Sequence, residues 1–257
     1  MFTLINARRR QGHQTTSFPK LAPSFPERFR GLPVIDAANC RDGCRACVDA
    51  CPTEAIAVAN GGPRLDLGRC LFCTECSSAC PEGAITMSHD YRLSARRRDD
   101  LVIGPEELKL AEALEHKSRA LFGRSLRLRQ VSAAGCNGCE VEVAALSNVV
   151  FDLGRFGIQI VASPRHADGL LITGAVSQTM RLALRKTYDA VPEPKLVIAV
   201  GACAISGGPF RGHPQVTDGA TDVPVDLYIA GCPPHPITIL DGILRLLGGI
   251  CVATSDE

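Results

Sequence analysis

The sequence has no surplus of charge of either sign, with 28 Lys and Arg against 27 Asp and Glu in 257 residues. That balance gives no support to nucleic-acid binding, which draws most of its affinity from cations set against phosphates. Aromatic residues are sparse, at 5% with no tryptophan, so no aromatic-rich surface is offered on which bases would stack. Long apolar runs are also missing. The stretch 196–210 is broken by glycine and falls short of the ~20 residues a bilayer span requires. Residues 1–31 contain Arg8, Arg9, Arg10 and several prolines, but no apolar core of signal-peptide length. They read as an arm, and work at a membrane is expected to depend on partners that hold the chain there.

What the chain has in quantity is cysteine. There are 13, an odd number, and eight of them fall between Cys40 and Cys80. A secreted disulfide scaffold is also cysteine-dense, but it has no need of repeated short spacings that end in Cys-Pro. Soft thiolate donors in a reducing compartment suit iron–sulfur clusters or zinc. The 46% hydrophobic content is enough for two small cores, or for one core beside a metal-organised domain.

Cys70, Cys73, Cys76 and Cys80 form C-x2-C-x2-C-x3-C followed by Pro81, the run of bacterial ferredoxins, in which the fourth cysteine ligates the neighbouring cluster. Cys40, Cys44, Cys47 and Cys51, followed by Pro52, form the other half. The halves are an internal repeat, since Cys51-Pro52-Thr53-Glu54-Ala55-Ile56 echoes Cys80-Pro81-Glu82-Gly83-Ala84-Ile85. Cross-ligation then assigns Cys40, Cys44, Cys47 and Cys80 to one [4Fe-4S] cluster, and Cys70, Cys73, Cys76 and Cys51 to the other. The first spacing is C-x3-C instead of C-x2-C, and Gly43 is expected to absorb the extra residue. A [3Fe-4S] centre or an altered potential is the alternative consequence, and zinc is the competing metal. Val48, Ile56, Phe72 and Ile85 would shield the clusters from water.

The rest of the chain reads as a connector over 92–125 and an α/β domain over 126–257. In the connector, Pro105 with the acids that follow it and later lysines predicts an amphipathic helix over 105–117. Apolar runs at 126–131, 157–162, 170–173, 196–200 and 225–229 predict strands, and 140–150, 176–188 and 236–247 predict helices. That alternation implies an open, mainly parallel sheet covered by helices. The fold class read from this pattern is an α+β ferredoxin domain, over 32–91, followed by an α/β domain with an open, mainly parallel sheet.

The second half carries Cys136, Cys139, Cys203 and Cys232, each just after a predicted strand. The crevice beyond the carboxyl ends of parallel strands can gather ligands far apart in sequence. Gly135-Cys136-Asn137-Gly138-Cys139-Glu140, Ser163-Pro164-Arg165-His166-Ala167-Asp168, Gly201-Ala202-Cys203-Ala204-Ile205-Ser206-Gly207-Gly208 and Gly231-Cys232-Pro233-Pro234 resemble the small subunits of membrane-bound energy-converting [NiFe] hydrogenases. They also resemble the related 20 kDa subunit of respiratory complex I. The resemblance covers about residues 125–250 and implies a flavodoxin-like domain that binds a third [4Fe-4S] cluster on Cys136, Cys139, Cys203 and Cys232, facing the large subunit. The complex I subunit normally has adjacent cysteines in the first motif, whereas Cys136-x2-Cys139 is hydrogenase-like. No nickel–iron site is expected in this chain, because the family places that centre's cysteines in the large subunit.

The family further implies that Arg165 and His166 approach the cluster, where charged hydrogen bonds raise its potential; loop anchoring is the alternative. Glu140 and Glu142 open a predicted helix, where acids often serve as dipole partners. Related hydrogenases use a glutamate near this motif to pass protons, and Glu142 is preferred of the two. Arg92, Arg96, Arg97 and Arg98 form a basic run that suits a solvated connector, an acidic partner or anionic headgroups. Cys251 is left over as an ordinary thiol.

The expected function is an electron-transfer subunit, non-catalytic by itself, of a membrane-associated [NiFe] hydrogenase complex. Expected partners are a NiFe-type large subunit, other hydrophilic and membrane subunits, and a soluble ferredoxin or a polyferredoxin subunit as donor or acceptor. The expected location is cytoplasmic, attached peripherally to the cytoplasmic membrane. The alternatives are a complex I-like module reducing quinone or another acceptor, and a ferredoxin-like regulatory or assembly protein.

Overall fold

A computed structural model describes residues 2–59, 62–105, 108–114 and 125–249. The cysteine-rich unit stands on two short antiparallel ribbons built from β1 (Pro33–Ile35), β2 (Ile56–Ala59), β3 (Gly62–Asp66) and β4 (Ile85–Met87). β1 pairs with β4 and β2 with β3. Period-two alternation turns Ile35, Leu65 and Ile85 inward, buried together with Ile56, and leaves Val34 exposed. Within each cysteine run lies one short helix, Ala46–Asp49 with Cys47 and Glu75–Ala79 with Cys76, and the two pack together.

The larger sheet takes its edge strand from the connector. β5 (Ser94–Ala95) lies antiparallel on β11 (Leu227–Ile229), and β6 (Val102–Ile103), only a few residues later, pairs with β3 of the first unit. Beyond β11 come β10 (Leu196–Val200), β9 (Gly169–Thr173), β7 (Leu126–Ser132) and β8 (Ile158–Ile160), all parallel. β9 and β10 are buried at every residue, as strands covered on both faces must be. The sheet is therefore open and mainly parallel, as the pattern of apolar runs implies.

The helix Pro236–Leu246 is buried along its whole length, so it needs cover on the side away from the sheet. The arm and the connector supply it, through Phe18, Phe25, Tyr91, Ala111 and Leu114. Here the structure departs from the helix expected over 105–117. Residues 108–114 carry no helix, and the rest of that span lies partly outside the described residues. Ala111 donates its amide to Ser94 O and Leu114 to Leu246 O, each at 2.9 Å, so these backbone groups bond to neighbouring elements and not to the preceding turn. Leu108, Ala111 and Leu114 are buried nonetheless. Their three-residue spacing is that of an irregular strap pressed onto the domain.

The arm joins both units. Its first helix, Phe2–Gln11, is exposed throughout. Thr16 N then donates to Val150 O, and Arg155 donates to the carbonyls of Thr16 and Phe18 at 2.7 and 2.8 Å. Gly31 N reaches Ser88 O as the chain turns into β1. Elsewhere the units meet through Ser206 Oγ on Gly68 O at 2.8 Å and through Arg211 on Glu54 at 2.6 Å. Among the described residues no helix is long and apolar enough to cross a membrane.

Candidate metal centres

The repeat in the first unit extends to the backbone after each Cys-Pro. Glu54 and Gly83, three residues after Cys51 and Cys80, both have positive φ, and the next amide, of Ala55 or Ala84, donates to the cysteine Sγ at 3.2 Å. Phe72 N donates likewise to Cys70 Sγ at 3.3 Å. Such N–H bonds favour thiolate over thiol. Gly43, at φ 73°, and Phe72, at φ 53°, both stand just before the second cysteine of their runs. The extra residue of the C-x3-C spacing is taken into a turn closed by Cys44 N on Arg41 O at 3.1 Å, with Gly43 in the conformation that glycine adopts freely.

Two cavities result. One is lined by Cys40, Cys44, Cys47 and Cys80, the other by Cys51, Cys70, Cys73 and Cys76, so each gathers three cysteines from one half and the fourth from the other. Phe72, Ile56 and Leu65 wall the second and Ile85 the first. Val48 packs against the same core.

The third set forms at the carboxyl edge of the larger sheet. Cys136 and Cys139 follow β7, Cys203 follows β10 and Cys232 follows β11. Glycines let the four approach: a methyl group on Gly201 would lie 2.5 Å from Cys139 Sγ, and one on Gly208 would lie 2.8 Å from Cys203 Sγ. Cys136 and Cys232 are exposed, and Cys139 and Cys203 are half-buried. The set is therefore open on one side.

Burial pushes the Cys70 and Cys139 thiols up to about 12 and Cys203 up to about 11, with neighbouring cysteines adding to the rise. Cys47, Cys76 and Cys232 are raised for the same first reason. Four crowded thiolates are unfavourable without a compensating cation, so cationic iron and the N–H donors fit this donor chemistry. Among the described residues, no group of three or more His, Cys, Asp or Glu closes around a single ion. The cysteines line volumes instead of converging on a point. The helices that carry Cys47 and Cys76 pack together, and the Cys73 thiol adds to the rise at Cys232. The Cys51/70/73/76 set thus neighbours both of the others.

Glu140 stands against the third set. Its Oε1 accepts from Ser132 Oγ and Thr173 Oγ1, each at 2.7 Å, tying the helix Gly138–Ala145 to the ends of β7 and β9. Glu142 is half-buried, and burial raises its carboxyl above the usual range. Arg165 and His166 are not brought to the cysteines. They are exposed on the turn Pro164–His166, and Asp168 just after it accepts from Arg127 N at the start of β7, whereas Cys136 lies past the other end of that strand. The reason is topological, since a connection into parallel β9 must deliver the chain to the beginning of that strand. The basic run is divided too: Arg92 pairs with Asp90 and Arg98 with Asp66, each at 2.6 Å, while Arg96 and Arg97 line a cleft with Asp100, Lys109 and Asp226. Cys251 lies outside the described residues.

Two family models match the chain. That of a 4Fe-4S dicluster domain covers residues 32–95, and that of the 20 kDa subunit of NADH ubiquinone oxidoreductase covers 136–246. Formate hydrogenlyase subunit 7 of Escherichia coli (strain K12) is 49% identical over 49% of this chain and 49% of its own, so the chain spans about half of that relative. The probable membrane-bound hydrogenase subunit mbhJ of Pyrococcus furiosus is 42% identical over 49% of this chain and 76% of its own length. A chain of a membrane-bound sulfane sulfur reductase, an archaeal respiratory membrane complex, is 36% identical over 52% of this chain and 75% of that one, with a TM-score of 0.46.

Proposed function

Because this chain belongs to the family of the 20 kDa NADH ubiquinone oxidoreductase subunit and its hydrogenase relatives, with a 4Fe-4S dicluster domain in front, we propose that it is the iron–sulfur electron-transfer subunit of a membrane-associated hydrogenase-type complex. It relays electrons between a ferredoxin-type donor or acceptor and a NiFe site in a large partner subunit. The observation that carries this reading is the gathering of twelve cysteines into three sets of four, two lining cavities of the first unit and one at the carboxyl edge of the larger sheet.

Each set holds one [4Fe-4S] cluster in this reading, and a bound cluster supplies a one-electron carrier. Cys40, Cys44, Cys47 and Cys80 hold the outer one, Cys51, Cys70, Cys73 and Cys76 the middle one, and Cys136, Cys139, Cys203 and Cys232 the one on the partner side. The amides of Ala55, Phe72 and Ala84 stabilise anionic sulfur, and the apolar walls limit water. The open face at Cys136 and Cys232 suits a large subunit, and Glu142 and Glu140 are candidates for proton passage toward it. Attachment to the membrane is through partner subunits.

The matching 20 kDa model favours one second reading, a complex I-like module that passes electrons to quinone or another acceptor. Anaerobic purification of the native complex, with metal analysis, EPR and H2 evolution from a reduced donor, decides between them. The first reading expects about 12 Fe and 12 sulfide per chain, as three cubanes require, with nickel in the partner. It also expects Cys232→Ser to abolish electron exchange between partner and donor while the first unit's two centres persist. An active complex without nickel selects the second reading, and stoichiometric zinc with little sulfide defeats both.

A further inference from the structure

Residues 25–31 of the arm run across the seam of the two units, with Phe25 and Phe29 half-buried and Arg30 exposed. Phe25 and Phe29 stack with centroids 4.0 Å apart, and both present edge-on to His235, at 5.2 and 5.8 Å. His235 is three residues after Cys232 and caps the helix Pro236–Leu246, its Nδ1 accepting from Ile237 N at 3.1 Å. On the other side Phe29 lies edge-on to His89 of the first unit, at 6.3 Å. The next residue, Arg30, donates from Nη1 to Phe72 O at 3.0 Å and to Cys73 O at 3.4 Å.

The loop that Arg30 grips is strained. Phe72 and Thr74 on either side of Cys73 both have positive φ, 53° and 72°, a conformation that residues with a Cβ adopt only under strain. Such a loop keeps its shape only when its surroundings over-determine it. Phe29, the residue before Arg30, meets His235 three residues after Cys232, so the same stretch of arm touches both sites.

We propose that Arg30, anchored by Phe29, is a positioning residue that fixes the Cys73 loop relative to Cys232. It thereby governs single-electron transfer between the middle and partner-side sites. In that step the donor cluster is oxidised by one electron and the acceptor reduced by one, and no proton or third reactant is needed. The inference rests on the proposed ligation of those two sites. The guanidinium also places a positive charge beside the middle set, which favours its reduced form. Both contacts leave one nitrogen of a rigid planar guanidinium, whereas lysine carries its charge on a flexible stem that fixes the two carbonyls less firmly.

The test uses the anaerobically purified full chain as wild type, Arg30→Gln and Arg30→Lys, and reads iron content, midpoint potentials and the magnetic interaction between the two reduced centres by EPR. Arg30→Gln is expected to retain its iron, shift the middle centre's potential downward and weaken the interaction. Arg30→Lys should restore the potential but not the interaction. Wild-type potential and interaction in Arg30→Gln overturn the proposal. If that variant does not load, an unchanged interaction in Arg30→Lys overturns it. A wild-type chain without the middle centre overturns the functional reading instead, a failure seen before any substitution is made.

Discussion

Glu54 and Gly83 hold the same left-handed backbone conformation at matching positions of the two halves, with φ of 52° and 65°. Glycine enters it freely, whereas a residue with Cβ pays about 1 kcal/mol. The glutamate stands where its carboxylate reaches Arg211 of the larger domain at 2.6 Å, although its side chain is 82% exposed. Gly83→Ala should therefore lower stability by about 1 kcal/mol. In Glu54→Gly the relief of strain and the loss of an exposed ion pair should cancel to within about 0.5 kcal/mol. Anaerobic denaturant unfolding of the loaded protein measures both, and a loss well above 1 kcal/mol in Glu54→Gly would show that the Arg211 pair locks the units together.

Cross-ligation predicts that a damaged cysteine harms the cluster built mainly by the other half. Cys80→Ser should perturb the centre held with Cys40, Cys44 and Cys47, and Cys51→Ser the one held with Cys70, Cys73 and Cys76. EPR of the two reduced variants separates the signals. Damage confined to the variant's own half would reverse the pairing.

Gly201→Ala should cost the partner-side cluster alone. The added methyl would lie 2.5 Å from Cys139 Sγ, at a residue with φ of 88°. Iron is expected to fall from about 12 to about 8 per chain, the loss of one cubane, with both signals of the first unit intact. Full iron retention would mean that Cys139 moves without penalty.

Asp241 and Arg245 form a buried pair at 2.7 Å within one helix, with side chains 1% and 6% exposed. Burial raises the Asp241 carboxyl despite the arginine. Removing one partner leaves an uncompensated charge, so Arg245→Met should destabilise by about 3–5 kcal/mol, whereas Asp241→Leu with Arg245→Met should recover most of it. A double-mutant cycle by denaturant unfolding checks this. Additive losses would mean that the two residues do not act as a pair.

The parts of the site legible in sequence were those with a local rule behind them. The Cys-x2-Cys spacings, the Cys-Pro repeat and the buried strands 196–200 and 170–173 each follow from short-range geometry or from burial on both faces. Gly43 was legible for the same reason, as one extra residue needs one permissive backbone. The strap at 108–114 was not, because apolar residues three apart satisfy a helix and a pressed irregular segment equally, and only its partners Ser94 and Leu246 decide. Arg165 and His166 follow a strand in sequence, yet the crossover returns them to the wrong end of the sheet. Arg30 left no trace at all, since its acceptors lie some forty residues away and its charge looked like one of many in the arm.

The thread from β5 to β6 has a consequence for any division of the chain. One strand of that thread completes the larger sheet and the next completes the ribbon of the smaller unit, so neither half owns it. A split after residue 91 would give both strands to the second piece, leaving the first without its third strand. A split before residue 126 would instead bare the edge of β11, an open invitation to foreign pairing. Either cut thus leaves one sheet with an unpaired edge, so the two halves depend on being one polypeptide for their closing strands.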